Sequence, residues 1–339
     1  MQFWSGALAA CLLASGTAWA QGAEEEGWRT TGGWSGLRVE RLDGASSLSM
    51  HVMMRARAEL AAEGDGPWGS STRLANARTQ VLFRHGPVSM MFQPELAGTP
   101  RMIDARVDLR LSDVADIGGG LMIVPFTRSW LTPLPLVASI ERAPTNGVFA
   151  PGPRRLGGTL EVHDPDRKVQ VWAGLFDPTP IGEEAPGVPP PGALLRVQAN
   201  PLGSAVTNEI AAASGPAERA VSVGAGAWFA DDTLTGVLDV GVQGGGFTLV
   251  GEGFLRSDED GGASLQVGQM VVPRHLMIGA RGSRIVDGTV DGDTRWVGEA
   301  FLVGLAEGGH LLAQLRGQVV APDDGPATTT ITLNTQARF

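Results

Sequence analysis

From about Ser47 onward the chain alternates apolar and polar residues in short runs, and each run ends in a turn cluster. In the first run Leu48, Met50, Val52, Met54, Ala56, Ala58 and Leu60 share one face of an extended strand, because side chains alternate with period two. Ser49, His51, Met53, Arg55, Arg57 and Glu59 share the other face. Ile103, Ala105, Val107, Leu109 and Leu111 repeat the pattern against Asp104, Arg106, Asp108 and Arg110. The final run sets Ile331, Leu333, Thr335, Ala337 and Phe339 against Thr332, Asn334, Gln336 and Arg338. Strands with one oily and one wet face make an all-β, antiparallel fold.

Sixteen such runs begin near residues 47, 73, 87, 102, 116, 155, 168, 193, 219, 235, 247, 263, 275, 294, 309 and 328. An even number of runs, each able to supply the roughly 9–11 residues of a tilted membrane strand, predicts a transmembrane antiparallel β-barrel. The runs near 116, 247 and 263 are the least regular, so fourteen strands is the other count. Connections 85–87, 112–116, 163–167, 244–246 and 273–274 are short, whereas 125–154, 177–192, 257–262, 286–293 and 321–327 are longer. Short turns on one rim and longer loops on the other are the habit of outer-membrane barrels. Residues 200–218 break it with a long connection on the short-turn rim. A closed barrel pairs its last strand with its first, which places Phe339 at the seam.

The 48 glycines and 22 prolines punctuate these runs and argue against a large helical protein. No segment after the N-terminus has the run of about 18 apolar residues that a membrane helix needs. A net charge of −10 argues against a nucleic-acid partner. Residues 1–20 read as a signal peptide: Phe3 to Ala20 carries no charge, and Ala18-Trp19-Ala20 is a small-x-small pattern for cleavage near Ala20. Leu8 to Cys11 also fits a lipoprotein box, the alternative use of this leader. Residues 21–46, including Glu24 to Glu26, read as a flexible periplasmic lead-in, and residues 47–339 as the barrel. Beyond the leader there is no cysteine, so neither disulfides nor thiolate metal sites are expected.

The stretch IDARVDLRL, then GGGLMIVPFTRSWLTPLPLVASIERAPTNGVFAPGPRRLGG, then KVQVWAGLFD resembles the phosphate-selective porin O/P family in the order of its parts. ALLRVQANPLG and GGHLLAQLRGQVV are similar to that family's second half, and the resemblance covers residues 47–339 as scattered positions. It implies a sixteen-stranded channel in a bacterial outer membrane, with lipid outside and an inward-folded third outer loop, here residues 125–154. The C-terminal Phe339 is similar to the assembly signal of such proteins. Phosphate-selective members resemble lysine-rich channels, whereas Lys168 is the only lysine of this chain.

A loop turned into the lumen would present Arg128, Glu141, Arg142, Arg154 and Arg155 at the pore constriction, where guanidinium forks suit phosphate or carboxylate oxygens. The plainer use of these arginines is to pin the loop, by pairing with Glu141, Asp104 or Asp108, and the adjacency of Arg142 to Glu141 favours it there. The alternation places Arg55, Arg57, Arg78, Arg84, Asp104, Arg106, Asp108, Arg110, Lys168 and Arg196 on the lumen wall, together with Glu59 and Glu161. The five histidines lack metal-ligand spacing, so no metal or other cofactor is expected. Trp68, Trp130, Trp172, Trp228 and Trp296 are expected at interfacial girdles.

The function this predicts is passive diffusion of small polar or anionic solutes, with phosphate among the candidates, and not enzymatic catalysis. Ala- and Gly-rich strand faces such as 221–227 would suit a smooth lipid face or a homotrimer contact. Two rivals use the same pattern differently. A soluble periplasmic or lipid-anchored β-protein with a binding role would turn the oily face inward. An outer-membrane barrel enzyme would need a nucleophile beside a rim histidine such as His51 or His310.

Overall fold

The computed structural model describes residues 24–25, 27–33, 36–152, 154–179, 190–215, 217–257, 260–287 and 294–339. The proposed leader and its cleavage site lie outside the described residues. The strands are β1 (Glu24–Glu25), β2 (Trp28–Gly33), β3 (Gly36–Arg41), β4 (Ser46–Glu63), β5 (Gly69–His85), β6 (Val88–Glu95), β7 (Arg101–Ser112) and β8 (Ala115–Ile123). They continue as β9 (Arg154–His163), β10 (Val169–Phe176), β11 (Gly192–Leu202), β12 (Ala217–Ala230), β13 (Thr233–Gly245) and β14 (Phe247–Arg256). β15 (Gly261–Val272), β16 (Leu276–Val286), β17 (Arg295–Ala306), β18 (Leu311–Pro322) and β19 (Thr328–Arg338) complete the set.

Strands β4 to β19 form a closed antiparallel barrel of sixteen strands, each paired with its sequence neighbours. Closure is by β19 on β4, from Thr328 opposite Glu63 to Arg338 opposite Met53. Phe339 completes the seam through both of its backbone bonds to Val52, at 2.7 and 2.8 Å. Pairing around the ring satisfies the backbone N–H and C=O groups that neighbouring strands share, which matters because an unsatisfied group in hydrocarbon costs several kcal/mol.

The lead-in contains three short strands where the sequence predicts flexibility. β2 and β3 form a hairpin, and β3 pairs Leu37 to Glu40 with Met50 to Ser47 of β4. The edge of β4 is therefore shared: β3 takes its first residues and β19 takes the rest.

The two faces of the wall sort as the alternation requires. Leu238, Leu255, Leu302, Val107 and Leu333 are among the exposed outward residues. Arg196, Gln198, Asp239, Gln314, Thr332 and Asn334 are buried on the inside. The tryptophans divide differently from the girdle expectation. Trp68 and Trp296 are exposed at 54% and 59%, whereas Trp130, Trp172 and Trp228 lie inside the barrel. Trp228 packs against Phe176 with ring centroids 6.2 Å apart, in a cluster with Phe126, Phe149 and Phe254. That cluster supplies the burial which an indole at the lipid boundary would otherwise seek.

Candidate functional site

The connection from β8 to β9 carries a short helix α1 (Arg128–Leu131), a 3-10 turn (Leu134–Leu136) and a second helix α2 (Pro144–Phe149). It lies among inward side chains of strands across the barrel. Thr127 starts α1 by accepting a bond from the Trp130 N–H, and its hydroxyl donates to Asn146, which joins the two helices. The next amides reach the wall: Ser129 N–H and hydroxyl donate to Glu252 at 2.9 and 2.8 Å, and Asn146 donates to the same carboxylate at 2.6 Å. Farther along, Gln314 donates to the carbonyls of Val137, Ala138 and Ser139, and Arg55 to that of Ile140. These bonds satisfy irregular backbone that would otherwise be buried without partners.

A second segment enters the same half of the lumen. Residues 203–215, between β11 and β12, bury Val206, Glu209, Ile210 and Ala213. Glu209 accepts from Arg128 at 2.8 Å, from the Ala138 N–H at 2.9 Å and from Gln266 at 2.7 Å. Burial alone would raise this carboxyl on the connecting segment; Arg128 and the Ala138 N–H outweigh it and hold the group below the ordinary carboxylate range. Around it Ala138, Ile210, Ala213, Met277, Phe301, Val303, Leu305 and Leu312 form an apolar cluster. One side of the barrel, from β10 round to β18, is thus filled like the interior of a soluble protein.

The other side is open. A cavity of about 1310 Å³ runs along β4 to β10, bounded across the lumen by residues of the β8–β9 loop, including Trp130, Leu134 and Arg142. A smaller cavity of about 540 Å³, lined by Arg55, Arg57, Glu141 and Asn146, shares Trp130, Leu134 and Arg142 with it. The three shared residues stand between the two spaces. Arg142 is held there by neutral groups: it donates to the carbonyls of Ser129 and Thr132, both at 2.6 Å, and stacks 4.7 Å from the Trp130 ring centroid.

Among the described residues ten arginines line the larger cavity, at 38, 78, 84, 101, 106, 110, 142, 154, 167 and 338, with four carboxylates, Asp104, Asp108, Asp116 and Glu161. Each carboxylate is matched to an arginine: Asp104 to Arg154 at 2.9 Å, Asp108 to Arg106 at 3.1 Å, and Asp116 and Glu161 to Arg167. Arg78 bonds Glu95 at 2.7 Å. The passage is therefore cationic in a chain of net charge −10.

The sequence-predicted residues separate along this division. Arg78, Asp104, Arg106, Asp108, Arg110, Arg142 and Arg154 line the open cavity, while Arg55, Arg57 and Glu141 line the smaller space. Arg128 is 1% exposed and spent on Glu209, Val206 and Thr132, so it is an anchor of the loop and not a wall of the passage. Arg196, fully buried, pairs with Asp239 at 2.6 Å behind the loop. Arg155 donates to the carbonyls of Pro151 and Pro178, tying two loops together. Lys168 stands in the turn before β10 and donates to the Gly203 carbonyl. Glu141 pairs with Arg57 at 2.5 Å, and not with the adjacent Arg142. Spacing along the sequence misses this pair because the loop crosses the lumen.

No protein-family model matches the chain, and no curated protein matches it. Solved structures do. An anion-selective porin from Comamonas acidovorans superposes with a TM-score of 0.56 at 12% identity, covering 87% of this chain and 100% of that one. The outer-membrane channel DcaP of Acinetobacter baumannii gives 0.59 at 11% identity, over 87% and 98% of the two chains. OmpF of Salmonella typhi gives 0.60 at 8% identity, over 86% and 98%. The fold is that of the bacterial outer-membrane porins.

Within this barrel the structure also assembles Asp116, Glu161 and His163, whose ligand atoms lie within 4.8 Å of one another. Sequence spacing does not show this grouping, because the residues meet only when β8 pairs with β9. Arg167 donates to both carboxylates of this group. His51 and His310, the candidates for rim chemistry, line the larger cavity, and His310 Nδ1 lies 3.2 Å from the Arg338 carbonyl.

Proposed function

We propose that this chain is an outer-membrane porin through which small anionic and polar solutes diffuse along the arginine-lined side of the barrel. The observation that carries the reading is the excess of arginine over carboxylate along the open passage of an otherwise acidic chain. A water-filled constriction of one sign lowers the barrier for the opposite ion and raises it for the like ion. Between the two spaces, which this reading takes as the constriction, Arg142 contributes its charge while its donors go to the Ser129 and Thr132 carbonyls. The outward apolar face supports membrane lipid as the surrounding solvent, and works against a wall exposed to water.

Phosphate is one solute of the expected class, and the guanidinium forks suit its oxygens as they suit carboxylates. Membership of the phosphate-selective O/P family, cleavage near Ala20 and assembly as a homotrimer belong to the same proposal. The test is single-channel recording of the folded chain in planar bilayers, with reversal potential in asymmetric KCl and then competition by phosphate. Anion preference is the expected result; cation preference overturns the selectivity, and a folded barrel without conductance overturns the channel.

A further inference from the structure

We infer that residues 203–215, a connection on the short-turn rim, act as an internal brace that holds the outer β8–β9 loop across the filled half, with Glu209 as the positioning residue for the constriction. The inference rests on the channel reading and adds a second segment to the control of pore width. Four bonds join the two inserted segments directly. Glu209 takes Arg128 and the Ala138 N–H, the Glu209 N–H donates to the Leu136 carbonyl at 3.0 Å, and Arg128 donates to the Val206 carbonyl at 2.9 Å. The brace is itself tied to the wall, since Ser222 accepts from the Val206 N–H at 2.7 Å and Thr248 donates to the Glu209 carbonyl at 3.2 Å.

Packing points the same way. A Cβ added at Gly241 of β13 would stand 2.9 Å from the Val206 Cβ and 3.3 Å from the Arg128 Cδ. Both segments thus press on one wall position where only a hydrogen fits. Leu136 and Ala138 of the outer loop share the apolar cluster with Ile210 and Ala213 of the brace. The outer loop turns from Leu136 to Arg142 on this support, and Arg142 is the residue it delivers to the passage. Without the brace, Arg128 keeps a buried charge without its carboxylate, and the filled half opens as a second, less cationic route.

The test compares the wild-type chain with Glu209→Gln and with a variant in which residues 204–215 are replaced by a short Gly-Ser turn. Barrel closure is verified by the migration of unheated protein in SDS gels. Released bracing raises single-channel conductance, on the order of twofold because conductance follows open cross-section, and moves the reversal potential toward zero. A second readout does not depend on transport: a Val303→Cys thiol, on the wall of the apolar cluster shared with Ile210 and Ala213, in a Cys11→Ala background reacts with a charged maleimide faster, on the order of tenfold, once the brace is loosened. Closed barrels with unchanged conductance, ion preference and thiol reactivity overturn the inference. A wild-type barrel that does not conduct removes the channel reading instead, and the thiol rates then decide the brace alone. If the shortened variant does not close, Glu209→Gln carries the same comparison.

Discussion

Two halves of one barrel, built from the same alternating strands, use arginine in opposite ways. In the filled half Arg196, Arg281 and Arg316 are buried against Asp239 and Glu299, with bonds of 2.6, 2.5 and 3.3 Å, and Arg128 against Glu209. In the open half Arg106 and Arg142 remain beside the passage, and arginine outnumbers the carboxylates available. A guanidinium shut away from water needs a partner to offset its desolvation, whereas one beside water is hydrated and still exerts its field. The presence of an arginine on the inner face therefore says little about selectivity. What covers it decides whether it acts as a fastener or as part of the passage.

The comparison breaks most sharply at Asp239. Asp239→Ala leaves Arg196 buried without its carboxylate and is expected to cost about 3–5 kcal/mol, read as a lower urea midpoint for unfolding from liposomes. A loss below the resolution of that assay would show that the filled half is wetter than its geometry implies. The outer faces, by contrast, should not distinguish the halves. Leu238→Arg over the filled side and Val107→Arg over the open side should each cost about 2–4 kcal/mol near the bilayer midplane, because lipid meets only the outside.

Selectivity should respond only on the open side. Arg142→Ala is expected to reduce the anion-to-cation permeability ratio, at a stability cost of about 2–3 kcal/mol from the lost cation–π contact and the two backbone carbonyls left without their donor. Measured reversal potential and unfolding midpoint separate the two effects; a large stability loss with unchanged preference would make Arg142 a fastener as well. The smallest effect concerns pH. The Glu209 carboxyl is held below its ordinary range, so its contribution is complete above the unfolded value and disappears only as pH falls through the lower folded one. Conductance should then show no brace-related step between pH 7 and about 5, and a step inside that window would contradict the pairing with Arg128.

Much of the wall was legible in the residues. Strands begin close to the expected positions, as at Ser46, Arg154 and Thr328, because period-two alternation and Gly/Pro turns report strand and connection directly. The interior was less legible for a physical reason: alternation says which residues face inward, but not whether water or protein meets them. Arg106 and Arg196 occupy equivalent polar positions in their runs, yet one borders the cavity and the other is sealed. Two signals did mark the sealed side. The connection 200–218 is too long for a simple turn, and β17 is apolar on both faces, with Leu302 outward and Phe301, Val303 and Leu305 inward. Glu209 itself carries no motif; its role arises from contacts with residues 71 and 81 positions away.

The inward apolar patch of Met277, Phe301, Val303, Leu305 and Leu312 has a consequence for assembly. A cylinder that closed before its two inserted segments seated would show this grease to the water inside it. Maturation should therefore finish with a miniature soluble-type collapse within an already hydrogen-bonded shell, and mild denaturant should reverse that late step while the lipid-facing cylinder persists.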